Sequence, residues 1–439
     1  MIVMKFGGTS LGDADRIKNA CNIVKSKLKK KPIVVVSAVS GMTNMLIKLA
    51  NENSFEKRKK ISAKIKDKHL DILKNLNIES SLLKEDLNEL EDSVDKIKDN
   101  NIDAKTFDLI QSFGERMSSK IVAAQLSNIG IESQAYNSYD LGFLTDDEFG
   151  SAEPLDITHS NLRKEIKKIH AVPVITGFLG KTKDGQITTI GRGGSDFTTS
   201  IVGAAIDAKE IQIWTDVDGI MSTDPKIVVN AQTISEVSFA EAFELAYFGA
   251  RVLHPKSILP AMKKNIPVMV LNSFNSDHNG TTILTKVKQN DSTVRAIAYK
   301  KNITLVNIQS TRMFGAHGFL ARLFNIFEKY KKSVDVIATS EVSVSLTVNN
   351  DKNIDDILNE LKEISNVNIR ENKSIICIVG EGMRNTLGVA GRTFSTMGKN
   401  NINIELISQG ASEINITFIV DGNDTDKAIN ALHKEYFGK

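Results

Sequence analysis

The first forty residues alternate apolar runs with a glycine turn and an amphipathic segment. Residues 2–6 form a short apolar run that ends in Gly7-Gly8, and residues 13–29 then carry apolar side chains at helical spacing. Residues 32–36 (PIVVV) are continuously apolar and β-branched, which is typical of a strand buried on both faces. Strand, turn, helix and strand in this order predict the beginning of a mainly parallel α/β sheet.

The segment 51–105 has a different pattern and is rich in Lys, Glu, Asp and Asn. Apolar residues from Leu83 to Ile97 recur at alternating four- and three-residue spacing, which gives an apolar stripe along a helix. We therefore expect a helical excursion from the sheet, and we interpret its charges as a solvated face rather than a binding patch.

The α/β pattern returns after this excursion. Three later runs are predicted to be buried strands: 171–176, 211–215 and 267–271. The stretch 277–292 is polar and contains Asn279-Gly280 as a turn signal, so we expect the main domain boundary there. The first domain is predicted at 1–285.

The last third of the chain contains an internal repeat. Each copy reads as a helix followed by two alternating strands; Gly388 follows Gly318 by 70 residues, and Glu405 follows Asp335 by the same 70. Two small α+β units after a complete α/β domain indicate a ligand-sensing pair rather than further catalytic machinery. The copies are expected at 300–370 and 371–439.

Composition and charge do not change this picture. The formal net charge is +3, the basic residues are spread along the chain and 6% of residues are aromatic, so neither nucleic acid nor a membrane surface is indicated as a partner. Cys21 and Cys377 form no metal-ligand pattern, and two reduced thiols fit better than a single disulfide. No signal peptide or apolar run of ~20 residues is found, so a cytoplasmic location is expected.

The first candidate site is the strand end Lys5-Phe6-Gly7-Gly8. Its glycines let the backbone approach a ligand and present bare N–H groups, and the helix that follows favours negative charge at its N-terminus. Lys5 could hold a phosphate as a point charge. The alternative is an ordinary strand-to-helix turn, which this segment alone favours, and the P-loop pattern is absent.

Two further segments carry weaker signals. Residues 37–44 end the PIVVV strand with small hydroxyl residues and a glycine, where open α/β sheets bind ligands, although a capped turn would look the same. Residues 113–116 (FGER) are expected just before a helical stretch. Glu115 could pair there with a substrate ammonium or, equally, face the helix dipole as a first-turn residue.

The segment 191–196 (GRGGSD) is the richest in chemistry and follows the strand-like residues 186–190. Arg192 offers a planar fork for a carboxylate or phosphate, and the glycines expose backbone donors. Asp196 could orient a lysine or a metal. Because a structural loop rarely needs this combination, we favour a functional role.

Two segments follow the next predicted strand, WTDVDG and TDPK, and a third, GARVLHP, places Arg251 after a predicted amphipathic helix. Thr215 and Asp216 lie where nucleotide contacts are expected, whereas Asp218-Gly219 fits a simple turn. His254 stands beside a proline and is interpreted as structural.

Taken in order, KFGGTS, SAVSGMTN, FGERMS, GRGGSD, WTDVDG with TDP, and GARVLHP resemble the motifs of the aspartate kinases, which belong to the amino acid kinase superfamily. The C-terminal repeat resembles the tandem ACT domains of the same enzymes, so the resemblance extends over essentially the whole chain. It implies an amino acid kinase fold followed by two ferredoxin-like ACT domains. It also implies the monofunctional, lysine-sensitive type, without a fused homoserine dehydrogenase.

This resemblance implies a reaction and a set of roles. ATP, with Mg²⁺ held mainly by its phosphates, would phosphorylate the β-carboxylate of L-aspartate, the first step of lysine, threonine and methionine biosynthesis. The catalytic residues would be Lys5, Arg192 and Asp196. Aspartate would be bound by Ser37, Thr43, Glu115, Arg192, Gly193, Gly194 and Ser195. The nucleotide would contact Lys5, Phe6, Gly7, Gly8, Thr215, Asp216, Met221, Lys226 and Arg251.

Within this scheme Arg192 is expected to clamp the α-carboxylate of aspartate and Glu115 to take its α-ammonium. Asp196 is expected to hold Lys5 or a neighbouring basic residue. The sequence departs from the family pattern at Met221, where some relatives have an aromatic residue. It also departs at Lys226 and Arg251, where the opposite basic residue is common.

The first repeat is similar to the lysine-sensing ACT unit of lysine-inhibited aspartate kinases. The effector residues implied by this similarity are Met313, Gly318, Phe319, Leu320, Val334, Asp335, Ser340 and Glu341. The residues alone favour a plainer interpretation, in which Asp335 and Glu341 merely edge a sheet. Ala316 replaces a serine that some relatives have.

L-lysine is the expected effector, and association into a homodimer or homotetramer is expected through the ACT domains. Two alternatives remain at this stage: another superfamily kinase that acts on a related carboxylate such as glutamate, and a non-catalytic amino-acid sensor. The sensor would be expected to have lost Lys5, Arg192 or Asp196, and all three are present.

Overall fold

The strand that opens the chain and the one that follows its first helix are buried along their whole length. The computed structural model describes residues 1–97, 102–248, 253–287, 293–310, 313, 317–349 and 354–438. Its strands are β1 (Ile2–Phe6), β2 (Pro32–Val36), β3 (Ser133–Tyr136), β4 (Val172–Thr176), β5 (Leu179–Lys181), β6 (Ile187–Thr189), β7 (Ile211–Thr215), β8 (Glu236–Ser238), β9 (Val268–Asn272), β10 (Thr281–Leu284), β11 (Ala296–Gln309), β12 (Val334–Thr339), β13 (Ser343–Asn349), β14 (Asn366–Val379), β15 (Leu406–Ser408) and β16 (Asn415–Asp421).

Some of the helices have a capping side chain at their N-terminus. Asp13, Ser54 and Asp103 precede three of them, and each side chain accepts a hydrogen bond from a backbone N–H of the first turn. The helices are α1 (Ala14–Ser26), α2 (Met42–Asn51), α3 (Phe55–Asn75), α4 (Lys84–Asp95), α5 (Ala104–Asn128), α6 (Ile157–Ile166), α7 (Gly194–Ala205), α8 (Phe239–Phe248), α9 (Pro255–Lys263), α10 (Phe319–Lys329), α11 (Ile354–Ile364), α12 (Val389–Lys399) and α13 (Thr425–Phe437).

The chain divides into two units. The first unit comprises Met1–Ile220, Ser235–Phe239 and Val252–Val287, and the second comprises Met221–Ile234, Ala240–Arg251 and Lys288–Lys439. Among the helices within the described ranges, none is both long and apolar enough to cross a membrane.

An eight-stranded sheet forms the centre of the first unit, in the order β3-β4-β2-β1-β7-β9-β10-β8. Its neighbouring strands are parallel except for the antiparallel pair β9 and β10, and β5 and β6 form a separate hairpin. The expected α/β class with a mainly parallel sheet is thereby confirmed. Strand β10 lies in the polar stretch 277–292, where the sequence pattern gave no strand.

Helices α3 and α4 and the start of α5 occupy the region of the helical excursion. Leu83, Leu87, Leu90 and Val94 of the predicted stripe are buried in one cluster with α5 and α1. The expectation that residues 113–116 precede a helix is wrong, because they lie in the middle of the 25-residue helix α5. Glu115 is therefore not a first-turn residue, and the dipole alternative no longer applies to it.

The second unit contains a six-stranded sheet in the order β12-β13-β11-β14-β16-β15. The long central strands β11 and β14 pair along both repeats, with a register shift between Lys300 and Ile303. One apolar core contains Val306, α10 and α11, and the other contains Val294 and Ile297 together with α12 and α13. The core of the second repeat therefore includes residues on both sides of the first repeat, so the first repeat is inserted in the second.

Candidate active site

A cavity of about 500 Å³ lies in the first unit, at the carboxyl ends of β1, β2 and β4 and the N-terminus of α7. Ligands bind at this edge in open α/β sheets. The cavity is lined by Lys5, Ser37, Thr43, Ile47, Phe107, Gln111, Glu115, Gly150, Phe178, Thr189, Gly191, Arg192, Gly193, Gly194, Ser195 and Asp196. The structure thus brings together all three predicted catalytic residues and every residue predicted to bind aspartate.

Lys5 is held at the end of β1 by an ion pair. Its Nζ lies 2.7 Å from Oδ1 of Asp196, and the two side chains are only 11% and 14% exposed. This oxygen has no aligned hydrogen-bond partner, so the contact is electrostatic rather than a directed hydrogen bond. Asp196 stands in the first turn of α7, where a carboxylate is favoured by the helix dipole. The pair fixes a cation at the wall of the cavity.

Close packing requires glycine at position 8 after β1, whereas position 7 has room for a side-chain carbon. A Cβ on Gly8 would lie 2.9 Å from the Ala38 carbonyl oxygen, and one on Gly7 would lie 3.5 Å from Nζ of Lys5. Phe6 is different, because its side chain is buried and stacks on Trp214 with ring centroids 6.1 Å apart. Only the backbone of Phe6 is therefore left for the predicted nucleotide contact.

Glu115 is a buried carboxyl group with one oxygen unused. Its Oε1 accepts a hydrogen bond from the Ala38 N–H at 3.1 Å, whereas its Oε2 is buried and has no partner. Burial raises the pKa of Glu115 to about 8, while the nearby charge of Lys5 acts in the opposite direction. The group is thus poised to ionise when a cation enters the cavity.

Phe107, Gln111 and Glu115 stand four residues apart on one face of α5, and all three line the cavity. The sequence pattern did not indicate Phe107 and Gln111, because the predicted helical excursion ended at residue 105 and the next helix was expected only after residues 113–116. Had α5 been identified, this spacing would have indicated both residues.

The loop before α7 adopts a conformation that suits glycine. Gly191 and Gly193 have φ values of 75° and 74°, and a Cβ on Gly193 would lie 2.8 Å from Cβ of His254. Arg192 between them is exposed and lines the cavity, and within the described ranges its guanidinium makes no ion pair. A planar cation is therefore left free to meet an anionic group.

Ser195 packs so closely on Gly177 that a Cβ there would lie 2.7 Å from the Ser195 hydroxyl oxygen. Phe178, which follows Gly177 in the chain, has a φ of 67°, which is unusual for a bulky side chain. Its N–H is held by Oγ1 of Thr198 at 3.0 Å. No sequence signal marked Phe178, because its contact with Thr198 is formed only in the folded chain.

Asp108 is a second buried carboxylate beside the cavity, and its oxygens are fully used. Its Oδ2 accepts from the N–H groups of Gly150 (2.9 Å) and Thr189 (2.7 Å), and its Oδ1 accepts from the Thr189 hydroxyl (3.0 Å). Burial raises the pKa of Asp108, and these hydrogen bonds oppose the rise. The residue ties two lining segments to α5, a positioning role that the sequence did not indicate.

Four of the residues predicted to contact the nucleotide do not line this cavity: Thr215, Asp216, Met221 and Lys226. Thr215 ends β7, and its hydroxyl donates to Oδ1 of Asp216 at 3.2 Å. Met221 and Lys226 belong to a segment of the second unit, and Arg251 lies outside the described residues. In the part of the chain that the structure describes, no group of three or more His, Cys, Asp or Glu side chains could hold a metal ion.

Among the candidate effector residues, Asp335 has the most defined environment. Its Oδ2 lies 2.6 Å from Nζ of Lys300, and its Oδ1 accepts from the Tyr247 hydroxyl at 3.2 Å. The others differ in exposure: Phe319 is buried, Met313 and Val334 pack on the core of the first repeat, and Gly318, Leu320, Ser340 and Glu341 are exposed.

Comparison with known proteins agrees with this geometry. Residues 1–272 match the model of the amino acid kinase family, and residues 376–436 match that of the ACT domain. Aspartokinase 1, chloroplastic, of Arabidopsis thaliana is 40% identical over 456 residues, which cover 99% of this chain and 80% of the relative.

Two crystal structures of Escherichia coli aspartokinase III resemble the whole chain. The complex with aspartate and ADP (R-state) matches with a TM-score of 0.85 and 32% identity, over 100% of each chain. The complex with lysine and aspartate (T-state) matches with a TM-score of 0.84 and 33% identity, over 100% of this chain and 99% of the other. The chain therefore belongs to the amino acid kinase family and, within it, to the aspartokinases.

Proposed function

We propose that this chain transfers the γ-phosphoryl group of ATP to the β-carboxylate of L-aspartate. The observation that carries the proposal is one shared cavity, which is lined by a fixed cation (Lys5), a free guanidinium (Arg192) and a buried carboxyl with an unused oxygen (Glu115). These are the groups that a phosphoryl donor and an α-amino acid require.

The acceptor needs no general base. The β-carboxylate of aspartate has a pKa of ~3.9 and is ionised at neutral pH. One of its oxygens attacks the γ-phosphorus while the bond to the β–γ bridging oxygen breaks, which gives 4-phospho-L-aspartate and ADP. Positioning and charge neutralisation then account for catalysis. Arg192 binds the α-carboxylate and Glu115 the α-ammonium, and Ser37, Thr43 and Ser195 add hydroxyl groups.

Lys5 neutralises charge on the transferred group, and Asp196 keeps its ammonium in place. The ADP complex of the E. coli relative supports nucleotide binding by this chain. Since no cluster of acidic ligands lies among the described residues, Mg²⁺ would enter with the nucleotide, bound mainly to its phosphates. It would supply further neutralisation there.

The finer nucleotide contacts stay predictions from sequence. Thr215 ends a strand of the central sheet and Asp216 follows it, as expected for such contacts. Lys226 is exposed, and within the described ranges its ammonium makes no ion pair, which leaves it available to a phosphate. Met221 and Arg251 are assigned only by resemblance.

L-lysine is the proposed feedback effector, acting at the first repeat. The lysine complex of the E. coli relative supports this assignment, and Asp335 offers a carboxylate that accepts an ammonium. Leu320 and Phe324, four residues apart on α10, are both exposed and would suit association of the repeats between copies. Homodimer or homotetramer formation and a cytoplasmic location remain part of the proposal.

The test is trapping of the acyl phosphate with hydroxylamine in the presence of ATP, with aspartate or glutamate as acceptor. Hydroxamate should form with aspartate and Mg·ATP, decrease on addition of L-lysine, and form at most weakly with glutamate. Equal rates with both acceptors would favour the broader superfamily alternative, and no hydroxamate with either acceptor would favour a non-catalytic sensor.

A further inference from the structure

The two repeats place a carboxylate at equivalent positions, and each carboxylate is paired with a lysine of the same chain. Asp335 in the first repeat lies 2.6 Å from Lys300 of β11. Glu405, which stands 70 residues later at the matching position, lies 2.7 Å from Lys373 of β14. An alkyl ammonium therefore occupies this carboxylate in both copies.

The pair in the second repeat is held by additional groups. Glu405 is also bound by Arg370 at 3.2 Å, and Lys373 is shared with Asp421 at 2.8 Å. The side chains of Lys373 and Glu405 are 11% and 9% exposed. Glu405 is thus held by two cations of the same chain, and one of these cations is held in turn by a second carboxylate.

The pair in the first repeat is held less firmly. Lys300 is the one cation in an ion pair with Asp335 among the described residues, and its side chain is 26% exposed. The Tyr247 hydroxyl donates a hydrogen bond to the other carboxylate oxygen of Asp335. Asp335 itself is only 5% exposed, so an incoming cation must move one of these two groups to reach it.

We propose that the Lys300 ammonium is a built-in occupant of the effector carboxylate, and that a cationic effector acts by displacing it. This inference rests on the proposed regulation by L-lysine. It also adds a chemical reason for that effector: the carboxylate already accepts the side chain of a lysine, so a free lysine offers an equivalent group. The locked pair at Glu405 explains why the first repeat, rather than the second, would respond.

Displacement has an energetic consequence that can be measured. A buried carboxylate must stay paired, so the effector must replace the internal cation rather than add to it. The affinity for the effector is then lowered by the strength of the internal pair. Removing the internal ammonium should lower the lysine concentration at half inhibition by about threefold to tenfold, the range for a partly buried ion pair.

The experiment compares inhibition of the full chain by L-lysine in four proteins: wild type, Lys300→Met, Lys300→Arg and Lys301→Met. Lys301 is the matched control, because it is the next residue of the same strand and its ion pair is with Asp426 at 2.7 Å. Methionine keeps the apolar stem without the charge, while arginine keeps the charge and can hold the carboxylate through two N–H groups.

Lys300→Met should respond at a lower lysine concentration, Lys300→Arg at an equal or higher one, and Lys301→Met within about twofold of wild type. Adding Asp335→Asn to Lys300→Met should abolish the gain. If Lys300→Met is inhibited by lysine at the same concentration as wild type, or if Lys301→Met gains as much sensitivity to lysine, this inference is wrong while the proposed function stands. If wild type phosphorylates aspartate but none of the proteins responds to lysine, the proposed effector fails as well.

Discussion

The unused oxygen of Glu115 makes aspartate binding depend on pH in a defined direction. Burial raises the pKa of this carboxyl to about 8 in the free protein, so at pH 7 about 90% of it is protonated. When the α-ammonium of aspartate enters, the carboxylate gains a partner and must ionise. Binding at pH 7 should therefore release close to one proton.

The size of the change in aspartate affinity with pH follows from the same pKa of Glu115. Each pH unit below 8 adds about 1.4 kcal/mol to the cost of ionising Glu115, which corresponds to a tenfold loss of affinity. The KM for aspartate should rise about fivefold between pH 8 and pH 7, and about tenfold again between pH 7 and pH 6. The Glu115→Gln variant cannot ionise, so its KM should be higher than that of wild type at pH 8 but nearly constant down to pH 6.

The assay is the hydroxamate rate against aspartate concentration from pH 6 to pH 8.5, with calorimetry at pH 7 in two buffers of different ionisation enthalpy. The difference in binding enthalpy between the two buffers gives the number of protons released. A wild-type KM that is flat over this range, or a Glu115→Gln variant that keeps the pH dependence, would refute the assignment of Glu115 to the ammonium.

The same group affects stability without substrate. Its pKa in the folded protein lies above that in the unfolded chain, so its contribution is fully present below about pH 4.5 and is lost as the pH rises through 8. Glu115→Gln should therefore be more stable than wild type at pH 8, on the order of a few kcal/mol, and aspartate should reduce this difference. Thermal unfolding at pH 5 and pH 8 measures the effect.

Three further changes test other parts of the structure. Lys5→Met should lower kcat about 100-fold to 1,000-fold and change the KM for aspartate much less, because Lys5 acts on the transferred group; unchanged turnover in steady-state assays would contradict this role. Asp108→Ala leaves two backbone N–H groups without an acceptor and should lower the free energy of unfolding by about 2–4 kcal/mol in urea, whereas no change would show that water replaces the carboxylate. The Tyr299 hydroxyl donates to Oδ2 of Asp224 (2.8 Å), whose Oδ1 accepts from the Lys226 N–H (2.9 Å), so Tyr299→Phe should raise the KM for ATP about threefold. An unchanged KM for ATP in Tyr299→Phe would mean that this turn is held without the hydroxyl.

The local pattern of apolar residues predicted the strands of the first unit better than it predicted the long helix α5. The apolar runs of β1, β2 and β7 were predicted with the bounds that the structure gives, because strands covered on both faces need continuous apolar side chains. Helix α5 was missed from residue 106 to residue 116 because most of its surface is buried, including Gln111, Ser112 and Ser118. A helix buried nearly all round has no polar face, and its signal is lost when polar residues are part of the core.

The candidate site shows the same division between local and long-range information. Glycine loops and the charges within them, such as Lys5 and Arg192, are visible in sequence because the chemistry is packed into a few neighbouring residues. Asp108 and Phe178 could not be found in this way. Their roles depend on contacts with residues 81 and 20 positions away, which only the folded chain brings together.

Three carboxyl groups with little access to solvent can be assigned different roles by the partners that they have in the free protein. Asp108 accepts three hydrogen bonds from the chain and has nothing left to offer a ligand, so it positions the loops that line the cavity. Glu115 has one partner and one unused oxygen, and burial raises its pKa, which favours the protonated form until a substrate cation arrives. Asp335 is paired with an ammonium of its own chain, so a ligand must compete for it. Since an unpaired buried charge is costly, the identity of the resting partner determines whether such a group holds structure, binds substrate or senses an effector.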